Sequence, residues 1–219
     1  MISPSLLDFL QELAQNNERG WFQAHKNEHK SLNKAFTDYM LTIAEQIAHF
    51  DPDIQNRMGD PKLVKVFRIY RDTRFSKDKT PYKINFSGAI AASSAAGQPV
   101  YYLSIEPGNS FAGGGVYMPP TENLQAIREK IDEDYKALEK ILNDKAFKAI
   151  FPNGLDRHAA LKTAPRGYST DHPAIDLLRL KSFVAGRNFS DAEVTSKPFT
   201  DTLLETYEAL SKLNAYFQD

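Results

Sequence analysis

The sequence predicts an α+β fold: a central antiparallel β-sheet of four to five strands, packed by N-terminal, middle and C-terminal helices. Three observations carry this prediction. Apolar residues recur at helical spacing over residues 1–50. Period-two alternation takes over in four short runs between residues 63 and 118, joined by connections too short for the crossover of roughly a dozen residues that parallel strands need. Helical spacing then returns from residue 121, with no βα alternation and no glycine fingerprint of a dinucleotide fold. The chain of 219 residues suits a single domain over 1–219, large enough to bury a core without staples.

The elements follow in order. Ser3 and Pro4 stand as cap and first residue of a helix carrying Leu6, Leu7, Leu10 and Leu13, and Asn17 can cap the next. Trp21 and Phe22 open a second apolar face that Leu32, Phe36, Tyr39, Met40, Ile43 and Ile47 continue, with a bend expected near residues 26–31. Residues 51–61 hold two prolines and a glycine and read as loop. The strands are Leu63 to Arg71, Tyr82 to Ala92, Val100 to Glu106 and Phe111 to Met118, with Pro107-Gly108 suited to a type II turn. Thr121 is expected to cap a helix with Leu124, Ile127, Ile131, Leu138 and Ile141 on its buried stripe. Residues 151–173 show no periodicity. A short helix is expected from about Pro173 to Arg179, a fifth strand from Ser182 to Phe189, and an amphipathic helix from about Lys197.

Composition limits the function classes. Apolar residues make up 42% and charged residues 25%, a globular mixture. The absence of cysteine removes disulfides, thiol nucleophiles and thiolate metal sites together. The start, MISPSLLDFL, lacks the basic and apolar regions of a signal peptide, and no run approaches ~18 apolar residues, so a cytoplasmic protein without a membrane partner is expected. A formal charge of −1 gives no global attraction to nucleic acid.

Charge is nevertheless distributed unevenly. Residues 62–83, KLVKVFRIYRDTRFSKDKTPYK, hold eight Lys and Arg against Asp72 and Asp78, a surplus of six, so the rest of the chain carries −7. Strand alternation places Arg68 on the face of Val64, Val66 and Tyr70, where a carboxylate such as Glu106 is the expected partner of a buried cation. Arg74, Lys77 and Lys79 stand on the following turn beside Arg71. Arginine suits bidentate oxyanion contacts and lysine point-charge contacts, so this cluster can hold phosphate or carboxylate. A solvated turn paired with the protein's own acidic helices fits the same residues. Arg166, Gly167 and Tyr168, with Asp171 and His172, can complete such a pocket; equally, Asp171 can cap the helix at Pro173 while Tyr168 packs.

The remaining motifs point away from chemistry. Gly113-Gly114-Gly115 lies in strand-like sequence, which fits close backbone approach better than a phosphate cradle leading into a helix. His25 and His29 stand four apart, but the register HKNEH is not HExxH and no third ligand presents itself, so no metal and no cofactor are expected. Asp72, Asp78, Glu106 and His172 are the available acids or bases for an enzyme reading; the two aspartates are flanked by cations, which hold them ionised.

RIYRDTRFSKDKTPYK, YYLSIEPGNSFAGGGVYMPP and LKTAPRGYSTDHPAIDLLRLKSF, in that order between residues 68 and 183, together resemble the bacterial family catalogued as domain of unknown function 2461. NNERGWFQAHK near the N-terminus is similar to it as well. The resemblance implies one nearly full-length domain and supplies no activity, cofactor or catalytic residue. The residues themselves favour a binder of a phosphate-bearing small molecule: Arg71, Arg74, Lys77 and Lys79 contact the anion, Tyr82 and Lys83 border it, Arg166 and Tyr168 close it, and Arg68 and Glu106 belong to the same ligand-binding set. The alternatives are an enzyme on the same anionic ligand, or, less favoured, a nucleic-acid binder stacking bases on Phe75 and Tyr82.

Overall fold

A computed structural model describes residues 2–218. Its centre is one five-stranded antiparallel sheet in the order β1-β2-β3-β4-β5: β1 Val64–Val66, β2 Phe86–Ile90, β3 Val100–Ile105, β4 Ser110–Val116 and β5 Phe183–Phe189. The order follows the sequence, as short connections between consecutive strands dictate. The turn at Pro107-Gly108 has the expected form, with Gly108 at φ +70° and the Asn109 N–H donating to the Glu106 carbonyl at 2.9 Å.

Among the described residues, helices precede, interrupt and follow the sheet. They are α1 Pro4–Gln15, α2 Arg19–Ala24, α3 Lys26–Ile47, α4 Pro52–Gln55, α5 Thr121–Leu142, α6 Lys145–Ile150, α7 Ile175–Leu178, α8 Asp191–Val194 and α9 Phe199–Gln218. The bend expected near residues 26–31 falls at His25, where helical backbone is interrupted between α2 and α3. The expected loop 51–61 contains α4, because Asp51 accepts from the N–H groups of Asp53 and Ile54 and Pro52 occupies the first helical position. Thr121 is not a cap: it is the first residue of α5, behind Pro120. The short helix begins at Ile175 rather than Pro173, and Asp171 does not cap it; His172 Nδ1 accepts the Ala174 N–H instead.

The helices that meet the sheet lie on one face. Phe86 packs its ring near Phe9 and Phe36, and the bare Cα of Gly88 faces Met40 of α3. α9 lies across β3 and β4. Its Tyr207 hydroxyl donates to the Tyr102 carbonyl at 3.0 Å, and its Leu210 side chain sits where a side chain on Gly114 would stand. The glycine run is therefore a close-approach device: a Cβ on Gly115 would lie 2.0 Å from the Phe183 carbonyl, and Gly115 itself has φ +108°. Tyr101 reaches out of the same face to donate to Asp51 at 2.6 Å, and burial followed by the Asp51 charge raises its pKa. The opposite face carries the alternate residues, Lys65, Phe67, Tyr102, Phe111 and Asn188, which are exposed or half-buried.

Candidate functional site

The first two strands are shorter than alternation alone suggests, and the difference shapes the site. β1 ends at Val66, and β2 begins at Phe86. Pairing resumes only as one bridge, Tyr70 with Tyr82. Three residues lie between Val66 and Tyr70, but five lie between Tyr82 and Gly88, the partner of Val66. The two extra residues bulge the second limb and interrupt the ladder, and residues 67–69 leave the regular strand. Ile69, not Tyr70, turns inward; Tyr70 is 55% exposed. Arg68 is consequently exposed, and among the described residues it makes no ion pair with Glu106 or any other carboxylate. Arg68 and Glu106 therefore do not form the expected buried pair.

The turn beyond is knitted from its own polar groups. Asp78 accepts from the Thr80 N–H and hydroxyl, both at 2.9 Å, and from Arg71 Nη1 at 2.5 Å. Arg71 Nη1 also contacts the Thr80 hydroxyl, and its backbone N–H donates to the Pro81 carbonyl. The Thr80 amide, then the Arg71 guanidinium and the Thr80 hydroxyl, bring the Asp78 pKa down to about 2. Arg74 clamps Asp72 through Nε at 3.0 Å and Nη2 at 2.7 Å, which lowers the pKa of the Asp72 carboxyl. Lys79 donates to the Thr73 carbonyl at 2.8 Å. Each aspartate of the stretch thus neutralises one arginine. The six other cations, Lys62, Lys65, Arg68, Lys77, Lys79 and Lys83, have no carboxylate within 4.0 Å among the described residues.

A cleft of 380 Å³ opens beside this turn, where the end of α1 meets the bulge and the end of β3. Arg71, Tyr82, Lys83 and Glu106 of the expected set line it, together with Asp78 and Thr80. Asn17 and Asn85 line it too, and residue-type reasoning passed over both as ligand contacts. Asn17 does not cap α2. Its amide spans to the Tyr82 backbone, accepting the N–H at 3.1 Å and donating to the carbonyl at 3.0 Å. Asn85 donates to the Ser104 hydroxyl and leaves its Oδ1 without a partner. Alternation already groups Asn85 with Lys83; no sequence signal brings Asn17 there.

Other expected members stand elsewhere. Arg74, Lys77 and Lys79 are exposed on the turn outside the cleft lining. The Tyr82 ring is core, 3% exposed and stacked on Phe22 at 4.1 Å, so it offers no stacking surface. Phe75 is 96% exposed with Arg74 over its ring. Tyr168 lies against α5, near Gln125, Arg128, Glu129 and Asp132; burial, then those acids, raise its pKa. Arg166 is exposed in the same loop. Neither Arg166 nor Tyr168 lines the cleft. His172 is also occupied: Nδ1 accepts from Ala174, so Nε2 carries the proton and donates to Asp132 Oδ1 at 3.0 Å.

The family described as conserved hypothetical protein (DUF2461) matches residues 5–216. The chain belongs to the DUF2461 family. Membership agrees with the resemblance read from the three motif blocks, and the match runs from within α1 to within α9, covering the whole sheet. No curated protein and no solved structure matches the chain. The DUF2461 description carries no activity, so chemistry has to be argued from the cleft and rim. Of the four acids and bases considered, only Asp78 and Glu106 line the cleft, and Asp78 is held ionised. His25 and His29 are absorbed by packing: His25 stacks on Trp21 at 3.9 Å, and His29 lies among Phe9, Phe22 and Phe86. Among the described residues, no group of three or more His, Asp or Glu is placed to hold a metal.

Proposed function

We propose that this DUF2461 protein binds a small anionic molecule, most simply one bearing phosphate, at the cationic rim between Arg71 and Lys83. The observation that carries the reading is the surplus of six cations without carboxylate partners in residues 62–83, of which Lys83 edges the cleft while Lys77 and Lys79 stand exposed on the turn. Unpaired positive groups concentrated in one stretch of an otherwise acidic chain raise the local concentration of anions. Arg71 supports the rim from behind: Asp78 and Thr80 fix its guanidinium, and its remaining N–H groups can still donate. The reading takes residues 1–219 as one domain, because one apolar core runs from α1 to α9. It also takes the protein as cytoplasmic; among the described residues no helix is long and apolar enough to cross a membrane.

An enzyme acting on the same anion is the second reading, and Glu106 favours it. Glu106 is the one cleft carboxylate without an ion-pair partner among the described residues, and it faces the same space as Lys83.

Thermal melting against a panel of phosphate compounds tests the binding reading. A true ligand at tenfold over its Kd raises the melting temperature by roughly 3–6 °C. Lys77→Ala with Lys83→Ala should shrink that shift. No shift with any compound retires the reading.

A further inference from the structure

The sheet face that the helices leave open carries a row of aromatic rings. Phe67 just past β1, Tyr102 of β3 and Phe111 of β4 form the row, with β2 running between the first two; ring centroids are 6.1 Å apart for the first pair and 5.4 Å for the second. Register explains the row. Tyr102 pairs with Gly113 and Ser104 with Phe111, so Tyr102 and Phe111 share the face of Lys65 and Ala89. The Phe67 N–H pairs with the Ser87 carbonyl, continuing that row to the edge. None of the three rings is buried in the core.

The charged side chains nearest the rings are lysines, and Glu106, one residue past β3, shares the space of Lys83 at the cleft end of the face. Lys65 Nζ lies 5.3 Å and Lys83 Nζ 6.0 Å from the centre of the Phe67 ring, and neither lysine has a carboxylate partner among the described residues. The strand residues that alternate onto the face include no Asp or Glu. Beyond the rings the surface is low: Gly113 stands opposite Gly186, and a side chain on Gly186 would meet only the Ala112 carbonyl, at 3.5 Å. Exposed Asn188 closes the row, opposite Phe111.

We propose that this face binds a single-stranded oligonucleotide. Bases stack on the Phe67–Tyr102–Phe111 row, and phosphates are drawn to Lys65 and Lys83. Aromatic rings on an open antiparallel sheet, flanked by cations, supply the two forces a flexible polyanion with flat bases requires. The rings differ from Phe75 and Tyr82, the pair suggested by the sequence; Tyr82 is buried. Stacking and phosphate contact do not read the sugar, so ribo- and deoxyribo-oligomers should bind alike. This inference goes beyond the small-anion reading and stands on the aromatic row rather than on the cleft.

Fluorescence anisotropy with a labelled oligo-dT and a labelled oligo-U tests it, at ~50 and ~200 mM salt. The expected result is saturable binding to both, weaker at higher salt. Phe111→Leu keeps an apolar side chain but removes a ring, and should weaken binding roughly five- to a hundredfold with little change in melting temperature. Lys65→Gln should reduce the salt slope by about one. Absent binding, or binding untouched by Phe111→Leu, overturns the proposal. Inorganic pyrophosphate protection in the same preparation would then show that the anion rim survives while the open face falls. Sedimentation showing a dimer that Phe111→Leu dissociates would put a second copy of the chain on this face, and would equally overturn it.

Discussion

Asn17 and Tyr82, 65 residues apart, are joined by a pair of hydrogen bonds in which one side-chain amide serves both polar groups of one backbone residue. The amide stands in for a neighbouring strand where the true ladder is interrupted by the bulge. It ties the end of α1 to the limb that carries the cationic turn. Asn17→Ala leaves the Tyr82 N–H and carbonyl without those partners at a partly buried position, a cost of about 1–3 kcal/mol. Urea denaturation should show that loss, and a change below about 0.5 kcal/mol would place Asn17 among indifferent surface residues.

Gly115 and Gly108 separate strain from collision. Both have positive φ, but a Cβ on Gly108 meets nothing within 4 Å, whereas one on Gly115 meets the Phe183 carbonyl. Gly108→Ala should cost about 1–2 kcal/mol through its backbone conformation. Gly115→Ala adds a backbone collision between β4 and β5, so its loss should be larger by roughly 1–3 kcal/mol. Equal losses in parallel melts would mean that the strands separate freely there.

His29 lies between the rings of Phe22 and Phe86, with Nε2 buried and unpartnered, and desolvation lowers its pKa below the usual 6.5. The folded state therefore binds this proton less readily than the unfolded chain. Stability is unaffected by His29 well above pH 6.5 and declines as the pH falls below it, until the lowered folded pKa is passed. His29→Leu should flatten that part of the pH dependence of the urea midpoint. An unchanged profile in the variant would assign the decline to other groups.

Much of this arrangement was legible in the letters. β3, β4 and β5 lie within two residues of their expected limits, because nothing interrupts their alternation and turns bound them on each side. β1 was overextended because the period of Val64 to Arg71 continues through a bulge whose extra residues sit on the partner limb, which no pattern within the strand can reveal. Arg68 was misplaced for the same reason. Arg71, Tyr82, Lys83 and Glu106 do meet at one cleft, whereas Tyr168 lies against α5 and Arg166 is exposed away from the cleft, since a proline-bound loop of that length has no local rule fixing where it lands. The aromatic row needed register: Tyr102 and Phe111 reveal a common face only once Ser104 is known to pair with Phe111.

Asp78 reports whether the turn is built as described. With its pKa brought to about 2, its contribution to folding is present above the unfolded value of 3.8 and is lost as pH falls through about 2. Carboxyl NMR should place the Asp78 midpoint near 2, and Arg71→Gln should move it upward while the Thr80 contacts keep it below 3.8. A midpoint at the ordinary value would mean that the turn is open and that Arg71 is free for other partners.

Calorimetric titration of inorganic pyrophosphate measures most directly whether the unpaired cations of the turn and Lys83 attract an external anion. The expected result is saturable binding that weakens between ~50 and ~200 mM salt, and that Lys79→Ala with Lys83→Ala abolishes. Undetectable binding at low salt, or binding the double variant retains in full, would contradict it.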